Sequence, residues 1–449
     1  MKKKILNREE LTELNESFSG NKDLKVSKDK NKKNDVGIFE TIFKERNLKK
    51  HKNSSEKINK KTKELNNIKS IDKKSPETKI KRHYGIDTAR ILAIYFIISH
   101  HILFHGGPMS KTKLLSYDNN LLMYFNTIFC SGVDMFGMIS GFVGYHSHKY
   151  SKLLYLLFET FLYNYGIAYY FKRTKRYHVD DLNKYLYPLF ISEYWYFNAY
   201  FTVYFFFPLI NVAIKFLGKR EFGIFNFTLF LLFSCFHQIR HYSKIFKGDY
   251  FSLGNGFTYK WLFILYFFGG YFGKFYSESR KYNIFIIFII CSVVIGLAAY
   301  YRNLILINRI KKREDFHSMT FEYTAPSSVI ISAFFILFFS KLEINSIILQ
   351  KIISFFAPLT YGIYLIHSHH FIWTRFIPEN YQFLLKYHSY DLILNILSES
   401  LKMFLYCSVI DFVRLIIFKI FRIRQICTLI ETLITKIFNV IIIIFEFLY

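Results

Sequence analysis

From about Arg90 almost to the C-terminus, long apolar runs alternate with short charged stretches. The runs fall near residues 87–105, 122–145, 153–170, 194–214, 223–237, 257–276, 284–300, 327–340, 353–373 and 389–418. Most approach or exceed the roughly 17–25 residues that an apolar helix needs to cross a bilayer. A chain in lipid must pair its own backbone N–H and C=O groups, and a helix does so within one segment. The pattern predicts an all-α, polytopic membrane protein with about ten transmembrane helices over residues 84–420. Beyond them, Ile426 to Tyr449 is apolar but carries Glu431, Lys436 and Glu446. Residues 421–449 therefore read as an interfacial helix or an extra span, with the balance towards interfacial.

Composition agrees with a lipid destination: 52% of the residues are hydrophobic and 20% aromatic, with 53 Phe and 35 Tyr. The formal net charge of +27 would point to nucleic acid in a soluble protein, but its distribution argues otherwise. Residues 1–83 hold 25 Lys/Arg against 13 Asp/Glu, and the remaining excess is spread over the loops, so no single basic face for nucleic acid results. That tail, rich in Lys, Asn, Ser and Glu with only short apolar patches, reads as a disordered basic extension. Basic residues mark the cytoplasmic side of membrane proteins, so the N-terminus is expected in the cytoplasm, with the plasma membrane as the host bilayer. The first apolar run follows more than eighty polar residues, so no cleavable signal peptide is expected and the first span directs insertion. The five cysteines, Cys130, Cys235, Cys291, Cys407 and Cys427, sit in apolar surroundings without metal-ligand spacing; they read as packing residues, and no metal is expected.

Polar residues inside spans are costly in lipid and mark candidate sites. The first group runs from Gly85-Ile86-Asp87-Thr88-Ala89-Arg90 to Ser99-His100-His101 and His105. On a helix, Arg90 and His101 share nearly one face about 16 Å apart along the axis. Histidine accepts and returns a proton near neutrality, and the arginine fork holds phosphate or carboxylate. Such a face suits a reaction that binds an anionic cofactor at one membrane surface and needs a base deeper in. A structural alternative has Asp87 and Arg90, at i and i+3, pairing with each other. His100 should matter less than His101, because its ring points about 100° away around the helix.

A second group, Ser131-Gly132-Val133-Asp134-Met135-Phe136 with Ile139-Ser140-Gly141-Phe142-Val143-Gly144, combines small residues that permit close helix approach with an Asp that needs a partner. A histidine of the first span would serve, since a carboxylate fixes an imidazole tautomer. A third, Thr360-Tyr361-Gly362-Ile363-Tyr364-Leu365-Ile366-His367 with His369 and His370, again ends a span in polar groups.

In order, these pieces resemble the membrane-bound acyltransferase family 3, which includes many bacterial O-acetyltransferases of surface polysaccharides. Asp87 to Arg90 and on to His101 is similar to its opening Asp-x-x-Arg and Arg, ten residues, His patterns, and Gly132 to Phe142 to its second motif. Tyr194-Trp195-Tyr196-Phe197-Asn198-Ala199-Tyr200 with Pro208-Leu209-Ile210-Asn211, Trp261 to Tyr271, and Tyr361 to His367 resemble later segments. The resemblance covers roughly residues 84–420. It implies about ten helices, acyl-CoA as donor (usually acetyl-CoA) and a saccharide hydroxyl as acceptor at the opposite membrane face. His101 would be catalytic with Arg90 required beside it, and Ser140 and His367 carry over as motif members without a role. Where the family has closely spaced arginines after the second span, this chain offers Lys149 and Lys152.

The resulting expectation is an O-acetyltransferase in which His101 takes the hydroxyl proton or briefly carries the acyl group. Asp134 or another buried polar group would orient it, Arg90, Lys149 and Lys152 would face the cofactor phosphates, and Asp87, Ser140, Tyr364 and His367 would complete the site. A transporter or flippase without chemistry shares the broken helices and central charges, but would release no CoA thiol. A membrane-anchored interaction protein acting through the basic tail would lose function with that tail.

Overall fold

A computed structural model describes residues 82–146, 148–175, 181–190, 194–242, 249–275, 284–311 and 322–448. The basic tail read over residues 1–83 lies, but for Arg82 and His83, outside the described residues. Among the described residues every regular element is helical and none is a strand. We number the α-helices of eight residues or more.

The first, α1 (Tyr84–His100), starts where His83 accepts the Ile86 N–H and passes at its other end into a π-helical turn, His101–His105. Helices α2 (Tyr117–Phe129) and α3 (Ser131–Gly144) return towards the Tyr84 end, and α4 (Tyr150–Arg173) leaves it again. Two short helices follow, α5 (Trp195–Tyr204) and α6 (Phe207–Phe216), bent by 63° where Pro208 opens the second. Next come α7 (Lys219–Phe230), α8 (Tyr259–Phe275), α9 (Ile284–Lys311), α10 (Pro326–Lys341), α11 (Ile347–Phe356) and α12 (Thr360–His367). The long α13 (Ser389–Ile420) and α14 (Ile423–Leu448) end the chain.

Six segments are long and apolar enough to cross a membrane: Tyr84–Lys111, Tyr117–Gly144, Lys219–Ile239, Phe285–Arg302, Ile347–His367 and Ile423–Phe445; the bent α5–α6 pair would make a seventh. The sequence suggested about ten. The difference has physical causes. Helix α8 is only 17 residues long, α4 carries Glu159 within its apolar stretch, and α13 carries Asp391, Glu399, Lys402, Asp411 and Arg414. In the last segment, Ile423–Phe445, the most apolar 18-residue stretch has a mean hydropathy of 2.0 and holds no buried residue, while Cys427 near its start is buried. Glu431 on this helix reaches back to accept the Tyr150 N–H at 2.7 Å, satisfying one of the free donors at the start of α4.

The centre of the bundle is the α3–α8 contact, and glycine makes it possible. A Cβ on Gly141 would run into the Tyr266 carbonyl oxygen, and one on Gly269 into that of Met138. The two backbones therefore meet with no side chain between them. Helix α10 joins this centre through the Ser332 hydroxyl, which donates to the Ser131 carbonyl at 2.9 Å. The packing of α3 on α8 fixes the inner face of α3, which with those of α1, α5 and α12 lines the site.

Candidate active site

The π turn at the end of α1 sets the geometry of the histidines. Its defining hydrogen bond runs from the Gly106 N–H to the His101 carbonyl at 3.0 Å. A turn widened by one residue brings the residue five positions on back over the same face. His100, His101 and His105 consequently cluster, with ring centroids 5.8 Å (100–101), 5.9 Å (100–105) and 5.9 Å (101–105) apart. The expectation that His100 points away from the site is thus corrected: His100, His101 and His105 all line one cavity.

That cavity measures about 390 Å³ and is walled by α1, α3, α5, α12 and the segments around Phe257, Tyr323 and Trp373. Trp373 stands edge-on to His101 at 4.7 Å, and Trp195 stacks on Tyr323 at 6.0 Å. His367 lies behind His101, completely buried, with its ring 5.3 Å away. Its Nδ1 is 2.7 Å from the Ile363 carbonyl oxygen. A carbonyl only accepts, so this nitrogen carries the hydrogen and Nε2 holds the lone pair. The Nδ1 of His101 is enclosed and makes no hydrogen bond among the described residues. Tyr364 joins the wall from α12, close to Tyr196 (6.0 Å) and Tyr361 (6.0 Å).

Asp134 is fully buried, but it is not brought to a histidine. Its Oδ1 accepts the Trp261 indole N–H at 2.9 Å, because the α3–α8 seam turns the carboxylate towards α8. The residue that bonds a first-span histidine is Asn126, whose Oδ1 lies 2.7 Å from His100 Nδ1. Ser140 donates to the Phe136 carbonyl at 2.9 Å, and the Tyr196 and Tyr200 hydroxyls also reach it.

Tyr196, Tyr200 and Tyr204, one turn apart on α5, form a ladder leading away from the cavity, with successive rings 6.5 and 5.7 Å apart. The Tyr204 hydroxyl donates to the Lys149 carbonyl at 2.7 Å, and Tyr200 lies within electrostatic reach of Arg90. The Arg90 end of α1 and the Lys149 end of α4 therefore belong to the same end of the bundle, with the histidines at the other. Asp87 accepts from both Arg90 Nη1 (3.1 Å) and Arg82 Nε (2.6 Å), so the pairing of Asp87 with Arg90 is present. One carboxylate between two guanidiniums still leaves a net positive charge. Lys149 and Lys152 are both exposed at the start of α4.

Sequence reasoning missed a second polar centre, between α4 and α13. Arg414 reaches Asp411 at 2.6 and 2.9 Å, Glu159 at 3.1 Å and the Tyr155 hydroxyl at 2.9 Å, and Tyr163 donates to Asp411 at 2.7 Å. Glu159, Asp411 and Arg414 are all buried. The signal was present, because Glu159, Asp411 and Arg414 are among the charged residues that stand in the apolar runs 153–170 and 389–418. Gly362 lets α12 close on this centre, since a Cβ there would collide with the Asp411 carboxylate. The adjacent Tyr361, which also lines the cavity, shares a 2.6 Å hydrogen bond with Thr160. Among the described residues no group of three His, Cys, Asp or Glu side chains is arranged to hold a metal ion.

Comparison with known families matches residues 83–410 to an acyltransferase domain. No match is found to a curated protein or to a solved structure. The match spans most of the chain and contains the cavity, the histidines and the tyrosine ladder. This chain belongs to the membrane acyltransferase family 3.

Proposed function

Starting from a membrane acyltransferase, we propose that the chain transfers an acetyl or other short acyl group from acyl-CoA to a hydroxyl of a cell-surface or luminal saccharide. The observation that carries this reading is the position of His101: it lines the cavity, Trp373 stands edge-on to it, and His367 backs it with a fixed tautomer. A histidine so held is suited to take a proton from a hydroxyl or to form a bond to an acyl carbon. Aromatic walls with a few convergent polar groups suit a small organic acceptor, and Trp195, Tyr323 and Trp373 offer flat faces to a sugar ring.

Arg90, with Arg82 beside the shared Asp87, and Lys149 and Lys152 at the same end of the bundle, would attract the phosphates of CoA. The tyrosine ladder with Ser140 gives the acyl arm a polar-edged path towards His101. Donor and acceptor would then approach from opposite faces, with the N-terminus and the Arg90 end cytoplasmic and about ten crossings of the plasma membrane. Asp134 acts in this reading as a positioning residue, holding Trp261 and through it the α3–α8 seam.

The test uses full-length protein in vesicles with labelled acetyl-CoA and isolated surface polysaccharide. Label in the polysaccharide that disappears with His101→Ala is the expected result. Label transferred equally by the variant would overturn the role of His101, and movement of glycan across the vesicle membrane without consumption of acetyl-CoA would favour a carrier.

A further inference from the structure

We propose that His100 is a second catalytic base, kept in its working tautomer by Asn126, which takes the proton of the acceptor hydroxyl while His101 carries the acyl group; this rests on the acyltransfer reading above. Three features of the site lead there. His100 lines the cavity and stands next to His101, with ring centroids 5.8 Å apart. Its ring is fixed by stacking on Phe104 at 5.4 Å and 13°. Its Nδ1 faces the Asn126 amide oxygen at 2.7 Å and the Cys130 sulfur at 3.5 Å. An amide oxygen only accepts, so Nδ1 carries the hydrogen and Nε2 keeps the lone pair.

Two histidines in the cavity wall resolve a chemical conflict. A ring nitrogen bonded to an acyl carbon is no longer free to accept a proton from the attacking hydroxyl. In the first step a nitrogen of His101 bonds to the thioester carbonyl carbon as the C–S bond breaks, and the leaving thiolate takes the proton that the His101 ring sheds. In the second the acceptor oxygen bonds to the same carbon as the C–N bond breaks. The hydroxyl proton passes to His100 Nε2 and from there to the nitrogen released on His101. The sum is thioester plus alcohol giving ester plus thiol, with both histidines restored. His367 does not compete for this role, because it is completely buried behind His101, whereas His100 fronts the cavity.

The experiment compares full-length wild-type protein, His100→Gln, Asn126→Leu and Asn126→Asp in detergent, with labelled acetyl-CoA as donor. Methyl hexosides serve as hydroxyl acceptors. Hydroxylamine serves as a second acceptor that attacks acyl groups without help from a base. With His100→Gln we expect one thiol released per protein and label held on the protein. Transfer to the hexosides should fall by about 10²–10⁴-fold, the usual range for a general base, with protein-dependent hydroxamate formation unchanged. Asn126→Leu should show the same pattern more weakly, and Asn126→Asp, which keeps an acceptor oxygen, should recover transfer. If His100→Gln fails to fold, the two Asn126 variants decide. Undiminished hexoside transfer, or hydroxamate formation falling by the same factor as hexoside transfer, overturns the proposal. Steady transfer by wild type with no label ever held on the protein would leave the acyltransfer reading standing and overturn the division of labour. Absence of thiol release from folded wild-type protein would remove both.

Discussion

The rings of His101 and His367 stand 5.3 Å apart, one at the end of the first long helix and the other at the end of α12. Chain segments near the two ends of the matched family domain thus supply neighbouring walls of one site. The Nδ1–H of His367 is committed to the Ile363 carbonyl at 2.7 Å, and its Nε2 lone pair faces the Ser368 hydroxyl at 3.4 Å, so the ring is held from both sides behind His101.

This arrangement predicts that His367 positions His101 and does not itself meet the substrate. His367→Ala should lower kcat by roughly 10²-fold, at the lower end of acid–base contributions, with KM for acetyl-CoA nearly unchanged. Steady-state kinetics on protein of unchanged thermal midpoint checks it. A raised KM with normal kcat would place His367 in donor binding instead.

Asp134 should serve the fold through Trp261. Asp134→Asn keeps an oxygen for the indole N–H and should fold and turn over close to wild type. Asp134→Leu strands a buried donor and should destabilise by about 1–3 kcal/mol. Thermal midpoints and thiol release for both variants decide this. A silent but fully stable Asp134→Asn protein would show that the carboxylate charge itself is needed.

The buried centre of α4 and α13 should be sensitive to loss of its cation. Arg414→Met leaves Glu159 and Asp411 facing one another in the absence of a counter-charge, and should cost about 3–5 kcal/mol. Arg414→Lys should recover only part of this, because a single ammonium does not reproduce the forked contacts to Asp411. Unfolding followed in detergent measures both. A tolerated Arg414→Met would mean that the carboxyls are held neutral.

Close packing of α3 on α8 gives a contrast between glycines. Gly141→Ala and Gly269→Ala drive a methyl group into a backbone carbonyl and should cost about 1–3 kcal/mol. Gly166→Ala, on α4 with nothing within 4 Å of the added carbon, should be neutral or stabilise by roughly 0.5–1 kcal/mol. Thermal midpoints of the three proteins test the contrast.

Much of this architecture was legible in the hydrophobic pattern, because lipid forces apolar helices and penalises each polar interruption. Arg90, His101, Ser140, Tyr364 and His367 were found as such interruptions, and four of them lie along the line from the Tyr84 end to the cavity or in its wall. What pattern alone did not give is direction. The π turn at His101–His105 brings His105 back beside His100, and the cavity wraps the end of α1 widely enough to be lined by both His100 and His101, which an angle counted around the helix does not show. Asp134 was sensed as a buried acid, but its partner, Trp261 or a histidine, depends on how α3 is rotated against α8. Helices α4 and α13 were visible as apolar runs, but the pairing of Glu159 with Arg414 across the bundle depends on a contact between distant segments that no local pattern carries.

The most direct test of the account is free-thiol release from acetyl-CoA by purified full-length protein, measured beside His101→Ala of equal thermal midpoint. The account predicts release by the wild type that falls to background in the variant. Equal release by both proteins would contradict the assignment of His101 as the residue that performs the transfer.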